Sequence, residues 1–439
     1  MSAVTPLGIP DVGPRRLADL PAPSLVTELP GPNARAAIAR DRAVVSPSMG
    51  RVYPLVPARA EGCVVEDVDG NRFLDANAGI AVNSTGHCHP TVVDAIQRQS
   101  EKLLHYCSSD WYLPVYAQLC ERLVATAPAG MGAAQVFLGN SGTEAVEGAI
   151  KLARYATRRP NVIAFLGAFH GRSLGSLGLT ASKSKYRGGF GAMPAGTLHA
   201  PYGDADHIER VLFEHLTAPD DVAAIIAEPI QGEGGYVVPP ADFWPALRRI
   251  CSEHGIVLIA DEVQSGIGRT GRMWAIEHEP VTPDVILAGK GIASGLPLSA
   301  IIAREGLMSW GPGKHGSTFG GNPVACAAAV ATLDLVERGL MANAASIGTR
   351  LLAGLHAMAA RHDAIVDVRG RGLMIGVEFA DHDAAAAIEQ RCFETGLLVL
   401  TCGRSAIRIA PPLVIDADRA DKVLSIFERV VSEVSASGL

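Results

Sequence analysis

Ile256-Val-Leu-Ile-Ala-Asp-Glu-Val-Gln264 and Asp284-Val-Ile-Leu-Ala-Gly-Lys290 decide the fold of this 439-residue chain. Each is a short apolar run that ends on charge, Asp261 in the first and Lys290 in the second. Runs of this length, flanked by Gly, Pro and Asp, suit strands buried on both faces of a largely parallel sheet. Gln135-Val-Phe-Leu138, Val162-Ile-Ala-Phe-Leu166 and Val222-Ala-Ala-Ile-Ile-Ala227 read the same way. Between the first two of these, Thr143 to Thr157 carries Val146, Ile150, Ala153 and Ala156 at helical spacing. Strand, helix, strand predicts an α/β core over residues 115–328.

Working outward, residues 1–45 are rich in Pro, Ala and Arg and read as an arm leading into a short helix. Residues 46–114 hold a hairpin signal, Asp69-Gly-Asn71 between apolar runs, and form the N-terminal part of a small domain. Residues 329–439 supply its C-terminal α+β part: strand, Gly-rich turn and strand from Val366 to Phe379, a strand at Ile407-Arg-Ile409, and a closing helix from Ala417 to Val434.

Composition bounds the function. Hydrophobic residues make up 48% and charged residues 19%, a globular balance. The net charge of −7 and the lack of a dense Lys or Arg run argue against nucleic acid as a partner. No stretch is long and apolar enough for a membrane span, and the start lacks the pattern of a secretory signal, so a cytoplasmic location is expected. The eight scattered cysteines lack a Cys-x-x-Cys pair and read as reduced thiols. His87-Cys-His89 has no second cluster at zinc spacing, so no metal is expected.

In open α/β sheets, chemistry gathers beyond the carboxyl ends of the strands. After Leu138 comes Gly139-Asn-Ser-Gly-Thr-Glu144, small residues opening a helix whose N–H groups and dipole favour an anion. Its spacing fits neither the P-loop nor the dinucleotide fingerprint. After Leu166, Phe169 stands in Gly167-Ala-Phe-His-Gly-Arg172 as a ring available for stacking. Glu228-Pro-Ile-Gln-Gly-Glu-Gly-Gly235 places two carboxylates among glycines, which requires a polar cleft. Asp261 continues a buried strand, and Lys290 at a strand end is held away from water, which favours its neutral amine. An anion cradle, a stacking ring, a carboxylate and a desolvated lysine together meet the needs of pyridoxal phosphate.

Asn140-Ser-Gly-Thr-Glu-Ala145, Phe169-His-Gly-Arg172, Glu228 to Gly235, Leu258 to Gly271 and Thr318-Phe-Gly-Gly-Asn-Pro323 resemble the class III, or ω-amino acid, aminotransferases. The similarity runs from about residue 32 to the C-terminus. It implies the type I, aspartate-aminotransferase-like fold and a homodimer with shared active sites, possible as a pair of dimers. It also implies roles. Lys290 would bond the cofactor aldehyde and Asp261 would pair with its ring nitrogen. Ser141, Gly142 and Thr143 would hold the phosphate, with Thr318 reaching it from the neighbouring subunit. Phe169, within the Phe169-His170 pair of the cofactor site, would stack on one ring face and Val263 on the other, and Gln264 would bond the phenolic oxygen. Arg408 would bind the α-carboxylate of glutamate or 2-oxoglutarate, masked by Glu233 when an ω-amine is present. Arg172 would take a second carboxylate, and Ile80 would open the substrate pocket.

The resemblance therefore implies amino transfer from a 4-aminobutyrate- or ornithine-like donor to 2-oxoglutarate by a ping-pong scheme. Tyr106-Cys-Ser-Ser-Asp-Trp-Tyr112 and Gly403 to Leu413 look more like an archaeal-type branch that also contains amino-acid racemases. A racemase on the same cofactor is the alternative. A DNA-binding regulator on this fold would need a basic module, which the Pro-rich first 45 residues do not supply.

Overall fold

Asp67 closes the first turn of the fold: its carboxylate accepts from the N–H groups of Asp69 and Asn71, at 2.9 and 2.8 Å, and Gly70 takes φ +86° between them. The turn joins β2 (Val64–Asp67) to β3 (Arg72–Asp75), with β1 (Pro57–Glu61) antiparallel on the other side of β2. The computed structural model describes residues 16–436, so the first fifteen residues of the expected arm lie outside them. The rest of that arm contains the expected helix, Pro32–Val44.

The central sheet takes the order β4-β10-β9-β8-β7-β5-β6 from β4 (Gln135–Gly139), β5 (Asn161–Phe165), β6 (Thr197–Ala200), β7 (Val222–Ala227), β8 (Val257–Asp261), β9 (Val285–Ala288) and β10 (Ser299–Ala303). Pairs from β9 through β6 are parallel, and β10 runs antiparallel to both β4 and β9. Every residue of β7, β8 and β9 is buried, as their unbroken apolar runs require. The helix Gly142–Thr157 lays Val146, Ala149, Ile150 and Ala153 on one face of the sheet against Val162, Ile226, Leu287 and Ile301. Phe165, Phe243, Trp244 and Leu258 fill the other face. Gly148 permits the close approach, because a Cβ there would lie 2.4 Å from Ile301 Cδ1.

The C-terminal sheet has the order β11-β12-β15-β14, from β11 (Ile365–Arg371), β12 (Met374–Phe379), β14 (Leu400–Cys402) and β15 (Ala406–Ile409). Between them β13 (Leu397–Leu398) pairs parallel with β3, so the first sheet draws on both chain ends. The closing helix Ala417–Ala436 buries Val423, Phe427, Val430 and Val431 on one stripe. Truncating Phe427 to Ala would cost about 3–5 kcal/mol. No helix of the described residues is long and apolar enough to cross a membrane.

Candidate active site

Ser141 ends the β4 turn and caps the next helix: its hydroxyl faces the Glu144 N–H, and the Glu144 carboxylate accepts from the Ser141 N–H at 3.1 Å. Among the described residues the N–H groups of Gly142 and Thr143 have no protein acceptor. They are the orphan donors of a helix start and suit an anion. A Cβ on Gly142 would lie 2.8 Å from Val263 Cγ1, so glycine lets the helix start meet Val263. Gly289, next to Lys290, packs on the same valine. The Thr143 hydroxyl is already engaged, 2.6 Å from both Ser173 Oγ and Ser176 Oγ, which leaves its backbone as the free donor.

Asp261 ends β8 and is buried. Its Oδ2 lies 2.7 Å from His170 Nδ1, and its Oδ1 accepts from the Val263 N–H at 3.1 Å. Burial acts to lower the His170 pKa, but the hydrogen bond and charge of Asp261 outweigh it and raise the value. Glu228, at the end of β7, accepts from the Phe169 N–H at 2.9 Å and the Gly232 N–H at 2.8 Å. Burial pushes its carboxyl up to about 7, with Asp261 adding to the rise and His170 opposing it. Glu228 thus ties the Phe169 segment to the turn that carries Glu233.

Lys290 follows β9 with φ +41°, an uncommon conformation for a residue with a side chain. Burial pushes its amine down to about 8, and Arg408 pushes the same way against the carboxylates of Glu233, Glu228 and Asp261. Arg408 lies on β15, 5% exposed, and donates to Glu233 Oε1 at 2.7 Å. Burial opposes ionisation of Glu233, yet Arg408 holds its carboxyl below the usual range. Gln264 Oε1 accepts from the Tyr236 hydroxyl at 2.7 Å, which leaves the amide N–H groups of Gln264 for another partner.

Tyr236 is fully buried at φ +54° and was missed in the sequence; an aromatic directly after Gly234-Gly235 is the signal that could have found it. Among the described residues, three expected residues make no hydrogen bond to this cluster within the chain. Ile80 is 40% exposed on a turn, Ala78–Ala81, whose residues all have positive φ. Arg172 is exposed and stacks on Tyr186. Thr318 is exposed, while its neighbour Ser317 accepts from Asn140 of the helix-start turn at 3.3 Å.

The residues present fit pyridoxal phosphate on their own chemistry: orphan N–H donors for a phosphate, a buried carboxylate for a ring nitrogen, and a lysine amine of depressed basicity. Fold and site define an enzyme built around that cofactor. The chain matches the Aminotransferase class-III family over residues 45–431, and it belongs to that family of pyridoxal-phosphate-dependent aminotransferases. It is 38% identical to an alanine/serine racemase of Pyrococcus horikoshii, over 94% of this chain and 93% of that one. It is 41% identical to the 4-aminobutyrate aminotransferase of Escherichia coli, over 88% and 95%. The solved ornithine aminotransferase of Toxoplasma gondii, which has partial occupancy of PLP at its active site, superposes with TM-score 0.85 at 32% identity, covering 92% of this chain and 95% of that one.

Proposed function

We propose that the enzyme moves the amino group of an ω-amino acid, 4-aminobutyrate- or ornithine-like, to 2-oxoglutarate in two half-reactions. The observation that carries this reading is the pair of partly buried Glu233 and buried Arg408, 2.7 Å apart and both acting on the Lys290 amine. An α-carboxylate can replace Glu233 on Arg408, whereas an ω-amine brings no carboxylate there and leaves the pair closed. One site thereby admits two unlike substrates in turn.

When bound, pyridoxal phosphate supplies an aldehyde for the amine and a ring that draws electrons from the substrate carbon. Gly142 and Thr143 N–H groups, with the Ser141 turn, hold the phosphate. Asp261, oriented by His170, would pair with the ring nitrogen and favour its protonated form, and the Gln264 amide N–H groups would donate to the phenolic oxygen. Phe169 and Val263 enclose the ring. The amine of Lys290, neutral above pH about 8, takes the proton from the substrate carbon and returns it elsewhere. Arg172 takes a distal carboxylate and Ile80 borders the pocket. Exposed Tyr112, Trp111, Tyr106 and Phe319 support a homodimer in which Thr318 completes the neighbour's phosphate site.

Initial rates over a grid of donor and 2-oxoglutarate concentrations test the scheme. Parallel double-reciprocal lines are expected, and intersecting lines would refute it. The racemase among the relatives supports a second reading, in which the proton returns to the opposite face of the same carbon. Loss of optical rotation by an L-amino acid without any oxo acid would favour that reading.

A further inference from the structure

Arg172 carries the one unusual contact at the rim of the site. Its Cζ lies 3.7 Å from the centroid of the Tyr186 ring and 5.6 Å from that of Phe169. None of its N–H groups has a protein acceptor among the described residues, and no carboxylate pairs with it. Tyr186 ends a short turn, Ser184–Tyr186, and meets Phe169 edge-on with centroids 5.9 Å apart at 82°. The next residue, Arg187, donates to the Gly178 carbonyl at 3.0 Å and pins the turn. Burial raises the pKa of the Tyr186 phenol, and Glu233, Arg172 and Arg408 all act on it as well.

A guanidinium stacked on a ring keeps its edge donors free for a planar acceptor such as a carboxylate. Stacking also limits the rotamers of a long side chain, so its ordering is complete before the ligand arrives. We infer that Tyr186 is a positioning residue for substrate specificity: it holds Arg172 ready, on the rim, for the distal carboxylate of a donor or acceptor. This rests on the reading that Arg172 takes that carboxylate. No expectation from the sequence concerned Tyr186.

The test uses cofactor-loaded enzyme in four forms: wild type, Tyr186→Phe, Tyr186→Leu and Arg172→Ala. Apparent dissociation constants come from single half-reactions, with 4-aminobutyrate as donor, then with 2-oxoglutarate or pyruvate as acceptor. Pyruvate shares the α-end of 2-oxoglutarate but lacks the distal carboxylate. Tyr186→Leu is expected to weaken 4-aminobutyrate and 2-oxoglutarate by about three- to tenfold, with limiting rates and pyruvate unchanged. Tyr186→Phe, which keeps the ring, is expected to behave as wild type. If Arg172→Ala weakens both distal carboxylates and Tyr186→Leu does not, the inference fails and the reading of Arg172 stands. If Arg172→Ala changes neither, the reading of Arg172 fails and takes the inference with it. Equal weakening of pyruvate by Tyr186→Leu would make the ring a structural support and overturn the inference.

Discussion

Asp261 Oδ2 stands 2.7 Å from His170 Nδ1, with both side chains buried. The other carboxylate oxygen accepts from the Val263 N–H at 3.1 Å, so the side chain is fixed at both oxygens. Asp261→Asn is expected to retain the fold and to slow the first half-reaction by about 10²–10⁴-fold, measured by stopped-flow absorbance. An unchanged rate would remove Asp261 from the chemistry.

The same pair has a pH consequence. The folded-state pKa of His170 is raised, so its protonated form contributes stability that is fully present below the unfolded value of about 6.5. That contribution is lost as pH rises through the raised value. Thermal melts of wild type and His170→Gln across this range should converge at alkaline pH. Parallel curves would show that the pair adds nothing through protonation.

Lys290 titrates in the opposite sense. Its amine is depressed to about 8, so the neutral form that captures an aldehyde grows as pH rises through that value. The rate at which cofactor-free protein takes up pyridoxal phosphate should climb and level off with a midpoint near 8. Arg408→Gln removes a neighbouring positive charge and leaves Glu233 unpaired, and both changes raise the midpoint. A downward shift would contradict the electrostatic account.

Glu233 has 15% of its side chain exposed and Arg408 has 6%. Glu233→Gln leaves the guanidinium uncompensated and is expected to cost about 3 kcal/mol, the low end for breaking a buried pair. A carboxylate ligand replaces the missing charge, so 2-oxoglutarate should raise Tm more in the variant than in wild type. Calorimetry that shows equal ligand shifts would argue against Arg408 as the anion site.

Ile80 occupies φ +67°, ψ +53°, a conformation that strains a β-branched residue. Asp75 sustains the turn by accepting from the N–H groups of Asn77 and Ala78 at 2.8 and 2.9 Å, while His87 holds its other oxygen at 2.7 Å. Ile80→Gly is expected to stabilise the protein by up to about 1 kcal/mol, the relief of strain exceeding the backbone entropy that glycine adds. On the proposed role of Ile80 at the pocket border, it should also raise KM for the ω-amine. A lower Tm with unchanged KM would refute both halves.

The strands that carry Asp261 and Lys290 were legible because burial on both faces leaves an uninterrupted apolar run. Two strands of the same sheet were not foreseen. Thr197-Leu-His-Ala200 is a short edge strand with only Ala200 fully buried. Ser299–Ala303 is wholly buried but runs antiparallel, and nothing in its residues signals direction. The site was legible where a single segment holds its donors, as at Ser141 to Thr143. Contacts between distant segments were not legible from spacing, and the Glu233–Arg408 pair came from the family resemblance alone. The Tyr236–Gln264 bond, the two N–H groups gathered by Glu228, and the stack of Arg172 on Tyr186 depend on packing that sequence spacing does not encode. The left-handed turn at Ala78–Ala81 was hidden for the same reason, since Asp75 and His87 impose it on residues that would otherwise avoid it.

The central claim is that this site removes an amino group and passes it on. It is tested by following the visible spectrum of cofactor-loaded protein while 4-aminobutyrate, ornithine and L-leucine are added separately, with no oxo acid present. The account predicts that an ω-amine bleaches the lysine-bound band in stoichiometric amount and that 2-oxoglutarate restores it. A band that persists with every amine while L-leucine loses its optical rotation would contradict transfer and establish racemisation.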